Sequence, residues 1–193
     1  RTGYDAKTAR RSLNLMFAEW ANRGLNLWTI QQATLTLTKG QAQETLTSDV
    51  IDLLEVVLRR DGTDFELSRI SRGEYLTVPN KTTEARPSQY YFDRKIDPVI
   101  NLWATPENST DQIVYYYVRR IEDADTLTNT TDMPFRFYPC MVAGLAYYLA
   151  MKRAPERIQL LKTVYEEEFQ RASDEDEDRT PLKLQPSIQY LRV

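Results

Sequence analysis

The apolar residues of this chain change their period twice, and a fold built from one kind of element cannot accommodate both changes. Ala6, Ala9, Leu13, Met16, Phe17 and Trp20 recur at steps of three and four, which marks one buried stripe on a helix over 5–22. Arg10, Arg11, Asn14 and Glu19 lie off that stripe, and Thr2 or Asp5 is placed to cap it. The helix ends inside the stretch LNLMFAEWANRGLNLW, residues 13–28, where Gly24 is expected to take the left-handed conformation that stops helices. A few residues on, Ala33, Leu35 and Leu37 alternate with Thr34, Thr36 and Thr38, the period of a half-buried strand. Helical spacing returns only after Pro134. The expected fold class is therefore α+β. A helical bundle domain formed by both chain ends (1–26 and 133–175) carries an inserted antiparallel β-rich domain (27–122). A linker (123–132) and an extended C-terminal tail (176–193) complete the chain. Trp20, Gly24 and Trp28 mark the junction between the two parts.

Several details within the insert are predicted. Trp28 and Ile30 sit on the parity opposite to Ala33, so a bulge is expected near Gln31 and Gln32. Lys39-Gly40-Gln41 is a turn. Leu53, Leu54, Val56, Val57 and Leu58 are apolar on both parities, which predicts a strand over 51–60 buried on two faces. Asp61-Gly62 then turns the chain into a hairpin through Phe65 and Leu67. Residues 71–75 suit one helical turn, and VPNKTTEARP between them and the next strand is an exposed loop. Strands follow over 89–93, 99–104 and 112–121. The last, QIVYYYVRRI, is apolar on both parities through Tyr115, Tyr116 and Tyr117. That pattern predicts a central strand, or one whose second face meets another subunit.

In the second helical block, Ala143, Gly144, Ala146 and Ala150 let a neighbouring helix approach closely, so this helix is expected at the centre of the helical core. Ile158, Leu161, Tyr165 and Phe169 form the stripe of a further helix. Eight acids and one arginine between Glu166 and Asp178 oppose the helix dipole at that end, so the helix is expected to fade there into a solvated charged stretch. Beyond it Leu182, Leu184, Ile188, Tyr190 and Leu191 are apolar while Pro181 and Pro186 forbid a helix. Such a tail docks on another surface or packs back on its own domain.

Composition narrows the chemistry. A net charge of −3 and a sequence pI of about 5.2 argue against a protein whose main work is neutralising phosphates. No run of about twenty apolar residues is present, so no membrane-spanning helix is expected. The one cysteine, Cys140, cannot form an internal disulfide, and the sequons at Asn80, Asn108 and Asn129 have meaning only on a secretory route. Histidine is absent, which removes His-based triads and most zinc chemistry and leaves carboxylates as the available acids and bases. Glu19, beside Phe17 and Trp20, reads as an exposed helix carboxylate, the acids over 174–178 as a solvated stretch, and Cys140 as a small packed residue. Tyr115, Tyr116 and Tyr117 with Arg119 and Arg120 look superficially like a base-stacking platform, although tyrosine-rich strands are usually core or interface. No Walker loop, GxGxxG or CxxC occurs. No catalytic, metal or cofactor-binding residue is assigned, and no cofactor is expected. The chain begins at Arg1, so a preceding segment is expected.

Three segments, taken in order, resemble a known family. They are LNLMFAEWANRGLNLW with its following Thr/Leu strand, EYLTVPNKTTEARPSQYYFDRKIDPVINLWATP (74–106), and AGLAYYLAMKRAPERIQLLKTVYEEEFQRASDEDEDR (143–179). The family is the head-to-tail adaptors of short-tailed bacteriophages, also called head-completion, tail-accessory or packaged-DNA-stabilisation proteins. The resemblance implies a helical domain carrying a β-rich insertion. It implies a structural virion protein, made in the host cytoplasm and located at the head-to-tail junction. Twelve copies would form a ring under the portal protein, with a tail or nozzle protein below. DNA would pass through the channel without sequence-specific binding and be retained, and no membrane is involved. Family C-termini reach onto the portal or neighbouring copies, which makes Leu182, Leu184, Pro186, Ile188, Tyr190 and Leu191 an expected anchor. The rival readings are a tail-associated cell-wall hydrolase using two carboxylates, and a DNA-binding module using Arg119, Arg120 and the tyrosine strand.

Overall fold

The computed structural model describes residues 2–24, 27–124 and 132–176. Helix α1, Thr2–Arg23, buries Met16, Phe17 and Trp20 on one side, as its stripe requires. Gly24 ends it, though not in the left-handed helical well. Its φ of +156° lies far from the roughly +57° of that well, in a region that L side chains still avoid. A 3-10 turn, Leu27–Thr29, leads into β1, Ile30–Thr36.

The remaining elements are β2 (Gln43–Thr45), β3 (Val50–Arg60), β4 (Thr63–Glu66), β5 (Ser68–Arg69), α2 (Arg72–Thr77), β6 (Glu84–Ala85) and β7 (Gln89–Asp93). After them come β8 (Val99–Trp103), β9 (Thr105–Pro106), β10 (Gln112–Arg119), α3 (Tyr138–Arg153) and α4 (Ile158–Glu175). Among the described residues the strands form one sheet ordered β1-β10-β3-β4, a second ordered β2-β8-β7-β5, and a short β6-β9 pair. Pairing is antiparallel except for β5 with β7 and β6 with β9. The fold is thus mixed, with antiparallel sheets and helices toward the C-terminal side.

The two larger sheets share one apolar core. Leu53, Val56, Leu58, Ile113, Tyr115 and Tyr117 come from the first, and Tyr90, Phe92, Ile100 and Leu102 from the second. Tyr90 opposes Leu102 and Phe92 opposes Ile100, so both pairs point inward together. Each such side chain, fully buried, contributes about 1.5–3 kcal/mol of hydrophobic stabilisation. At the hairpin, Asp61 (φ 51°) and Gly62 (φ 78°) supply the positive angles of a two-residue turn, with Arg60 paired to Thr63. In α2 Ser71 accepts from the Glu74 amide at 3.2 Å while Glu74 reaches back to the Ser71 amide at 2.6 Å, a reciprocal cap.

Three sequence expectations are corrected here. β1 pairs with β10 residue for residue from Ile30–Val118 to Thr36–Gln112, so no bulge occurs at Gln31 and Gln32. Trp28 has the other parity because it sits in the 3-10 turn, not in the strand. β3 is not buried on two faces. Its core residues fall at 50, 53, 56 and 58, and the register against β10 slips between Tyr115 and Tyr117 and again between Val118 and Arg119. Each slip inserts one extra residue into β3, so apolar residues of both parities reach the same face while Glu55 and Ile51 stay exposed. Finally, α4 ends at Glu175, inside the acidic run and at the expected bound of the helical part, but Asp176 just beyond it is buried and not solvated. Three acids of this run have cationic partners: Glu166 binds Arg23, Glu168 binds Arg171, and Asp176 accepts from Arg136 and from the Leu27 amide at 2.8 Å. Charge-assisted hydrogen bonds outweigh a dipole term of a few tenths of a kcal/mol.

Candidate assembly surfaces

α1, α3 and α4 meet in a second apolar cluster that includes Met16, Trp20, Phe137, Cys140 and Tyr165. Gly144 on α3 makes the close approach possible. A Cβ there would collide with Met16 Sδ and lie 2.8 Å from the Tyr165 ring. Trp20 packs its ring 5.6 Å from Phe137, and Trp28 packs 4.4 Å from the same ring. The residues on either side of Gly24 are therefore brought onto one aromatic group.

A polar network runs through this cluster. Trp20 Nε1 donates to Tyr165 Oη at 2.7 Å, and Tyr165 Oη donates to Glu19 Oε2 at 3.1 Å. Tyr148 Oη donates to the same carboxylate oxygen at 2.8 Å. Arg23 donates from Nε to the other Glu19 oxygen at 2.9 Å and clamps Glu166 at 2.6 and 2.8 Å, with its guanidinium 4.5 Å from the Phe169 ring centre. Burial, reinforced by the Glu19 charge, pushes the Tyr148 hydroxyl up to about 12 and raises Tyr165 further. The Arg23 guanidinium holds Glu166 below the usual carboxylate range. Glu19 is accordingly no exposed helix carboxylate. Both its oxygens are committed to structural partners. The i,i+4 spacing of Glu19 and Arg23 was a legible signal, whereas Tyr148 and Tyr165 lie too far along the chain to be found by spacing.

The other singled-out residues separate. β10 is central, with β1 and β3 on its two edges. Tyr115 and Tyr117 are buried in the sandwich, 5.7 Å apart, and only Tyr116 of the three is exposed. Arg119 is buried and ion-paired with Asp132, and Arg120 is paired with Asp123. Tyrosines and arginines thus form no open stacking platform. Cys140 is buried, and burial pushes its thiol up to about 12. The proposed anchor residues Leu182, Leu184, Pro186, Ile188, Tyr190 and Leu191 lie outside the described residues.

Several surfaces stay open among the described residues. α3 carries Phe135 of its preceding turn, Tyr138 and Val142 outward at 81 %, 46 % and 66 % exposure. A groove of about 920 Å³ lies between the outer side of α1 and the base of the sandwich at Ser48, Ile51 and Arg120. Among the described residues no cluster of three or more His, Cys, Asp or Glu is arranged to hold a metal ion, and no helix is long and apolar enough to cross a membrane.

Residues 4–185 match the family model described as SU10 adaptor protein. No curated protein matches the chain. The match spans the helical cluster, the sandwich and part of the segment beyond Asp176.

Proposed function

Because the chain belongs to the SU10 adaptor protein family, a family of phage structural adaptors, we propose that it is a subunit of a ring beneath the portal that joins capsid to tail and helps retain packaged DNA. The observation that carries this reading is the family match over 4–185, which takes in both regions of the fold. In this reading the cluster of α1, α3 and α4 acts as a helical bundle domain closed by both chain ends, and the sandwich over 27–122 is an insert projecting from it. Trp20, Gly24 and Trp28 form the junction that sets the angle of projection. Twelve copies make the ring, residues 182–191 anchor it to portal or neighbour, and a tail or nozzle protein binds below. Tyr116 is the tyrosine of β10 left to meet another subunit.

The physical features agree with this role. The exposed apolar side chains of α3 are of the kind that partner subunits cover. A net charge of −3 suits a channel through which DNA slides without strong phosphate binding. The hydrolase reading loses Glu19 to its structural partners, and the DNA-binding reading loses Arg119 to Asp132. The test is imaging of the protein mixed with portal and of assembled particles. A ring at the head-to-tail junction is expected. Protein that stays monomeric in the presence of portal, with no ring on particles, refutes the proposal.

A further inference from the structure

Two outer faces of the helical cluster carry opposite charge beside exposed apolar side chains. On α1, Tyr4, Lys7, Arg11, Leu15 and Ala18 follow one another at helical steps on the side away from Met16 and Trp20, and all are exposed. The two acids of α1 are occupied elsewhere, Asp5 by Arg153 and Glu19 by Arg23 and two tyrosines. This face is cationic, and it forms one wall of the 920 Å³ groove. On α4, Leu160, Val164, Glu167, Arg171 and Asp174 share the side away from Tyr165 and Ala172. Arg171 is paired with Glu168, so Glu167 and Asp174 leave this face anionic, with Leu160 at 68 % exposure beside them.

We propose that the outer face of α1 and its groove receive the outer face of α4 from a second copy of the chain. Lys7 and Arg11 would face Glu167 and Asp174, while Leu15 and Ile51 would cover Leu160 and Val164. Such a contact joins two different patches, so each copy offers one and accepts the other, an arrangement that gives a ring when the rotation between neighbours closes. The inference rests on the ring reading and specifies how neighbours meet. A phosphate backbone is the weaker occupant, because the groove floor at Leu15, Ala18 and Ile51 is apolar and Arg120 is already paired with Asp123. The C-terminal tail is weaker too. Residues 179–193 carry Arg179, Lys183 and Arg192 and no acid, so they would be repelled.

The test is a charge swap on the full chain, read by sedimentation. Lys7→Glu with Arg11→Glu should weaken self-association by at least about tenfold, and so should Glu167→Lys with Asp174→Lys. The chain carrying all four substitutions should regain it, which also shows that the substituted helices fold. In parallel, chains with Leu15→Cys and chains with Val164→Cys, mixed and treated with a bifunctional thiol reagent, should give a mixed dimer. One chain bearing both cysteines should give a ladder. Failure of the four-fold swap to restore association overturns the proposal, as does absence of the mixed dimer. Loss of salt-dependent binding to a DNA duplex on Lys7→Glu and Arg11→Glu, with self-association unchanged, overturns it in favour of a polyanion site. If the charge-reversed chains still form rings on portal, the contact is wrong and the ring reading stands; if the unsubstituted chain never assembles, both fall.

Discussion

The sandwich and the helical cluster bury their residues by different means. The sandwich core is chiefly aliphatic, Leu, Ile and Val with four aromatic side chains, and its geometry is set by backbone ladders that continue whatever a single side chain does. The helical cluster has no ladder between its helices. α1 is held to α3 and α4 by side chains alone, several of them polar: Trp20 with Tyr165, Tyr148 and Tyr165 with Glu19, Arg23 with Glu166. A sheet tolerates local loss, whereas this helix packing depends on a few named contacts. Substitutions that separate these two behaviours are the informative ones.

The largest effect is expected at Trp20. Trp20→Ala removes a fully buried indole and leaves Tyr165 Oη without its donor, at a cost of about 4 kcal/mol. Urea unfolding followed by far-ultraviolet circular dichroism should show helical signal lost before strand signal. A shift under about 1 kcal/mol would break the claim that the helical cluster hangs on this contact. Next comes Gly144→Val, at about 3 kcal/mol, since the added carbons meet the Tyr165 ring and Met16 with no free space to enter. A variant with unchanged thermal midpoint would mean that α3 and α1 can separate without cost.

Gly24→Val tests the proposed junction between the regions and not either core. Nothing lies within 4 Å of a Cβ there, so the strain is purely in the backbone, where φ is +156°. About 2 kcal/mol is expected. If the junction sets the angle of the sandwich, the variant should fold yet assemble poorly with portal. Normal assembly would sink that role for Gly24.

Alkali should divide the regions more gently. Cys140 is raised to about 12 in the folded chain, so its neutral form is favoured by folding. The resulting stabilisation is complete below the ordinary thiol range and is lost as pH rises from about 9 through 12. At pH 10 Cys140 alone costs about 1 kcal/mol, and Tyr148 and Tyr165 add in the same direction. Tyr90, Tyr115 and Tyr117 in the sandwich are raised as well, by burial, so the helical cluster should open first only by a margin. Cys140→Ala should flatten the fall in melting temperature between pH 9 and 10.5. An unchanged slope would remove Cys140 from the account.

Much of this division was legible in the sequence. The stripe from Leu13 to Trp20, the Asp61-Gly62 hairpin, the strand over 89–93 and the strand expected over 112–121, which ends at 119, followed from period and turn chemistry alone. What escaped is non-local. The two slips in β3 arise from its register against β10, and apolar residues on both parities of one strand cannot reveal a bulge that only the partner defines. Asp176 read as solvated because its partner, Arg136, stands forty positions earlier. If residues 182–191 and the open helical faces serve assembly, as proposed, they are harder still to read, because their partners would belong to other molecules.

The smallest expected effect is at Tyr116, and it sharpens the comparison because its neighbours on the same strand behave oppositely. Tyr115 and Tyr117 point into the sandwich, 7 % and 8 % exposed, and Tyr115→Ala would open a cavity in an aliphatic core. Tyr116 points the other way, at 44 % exposure, opposite Gln32 of β1 and beside the bulged part of β3. Tyr116→Ala should change stability by no more than about 0.5 kcal/mol, because the β ladder continues through it unaltered. If its ring serves the assembly, the same substitution should weaken ring formation on portal while the melting temperature stays put. A loss of stability as large as that of Tyr115→Ala would place Tyr116 in the fold. Unchanged stability with unchanged assembly would leave β10 a purely internal strand, whose third tyrosine only shields the backbone beneath it.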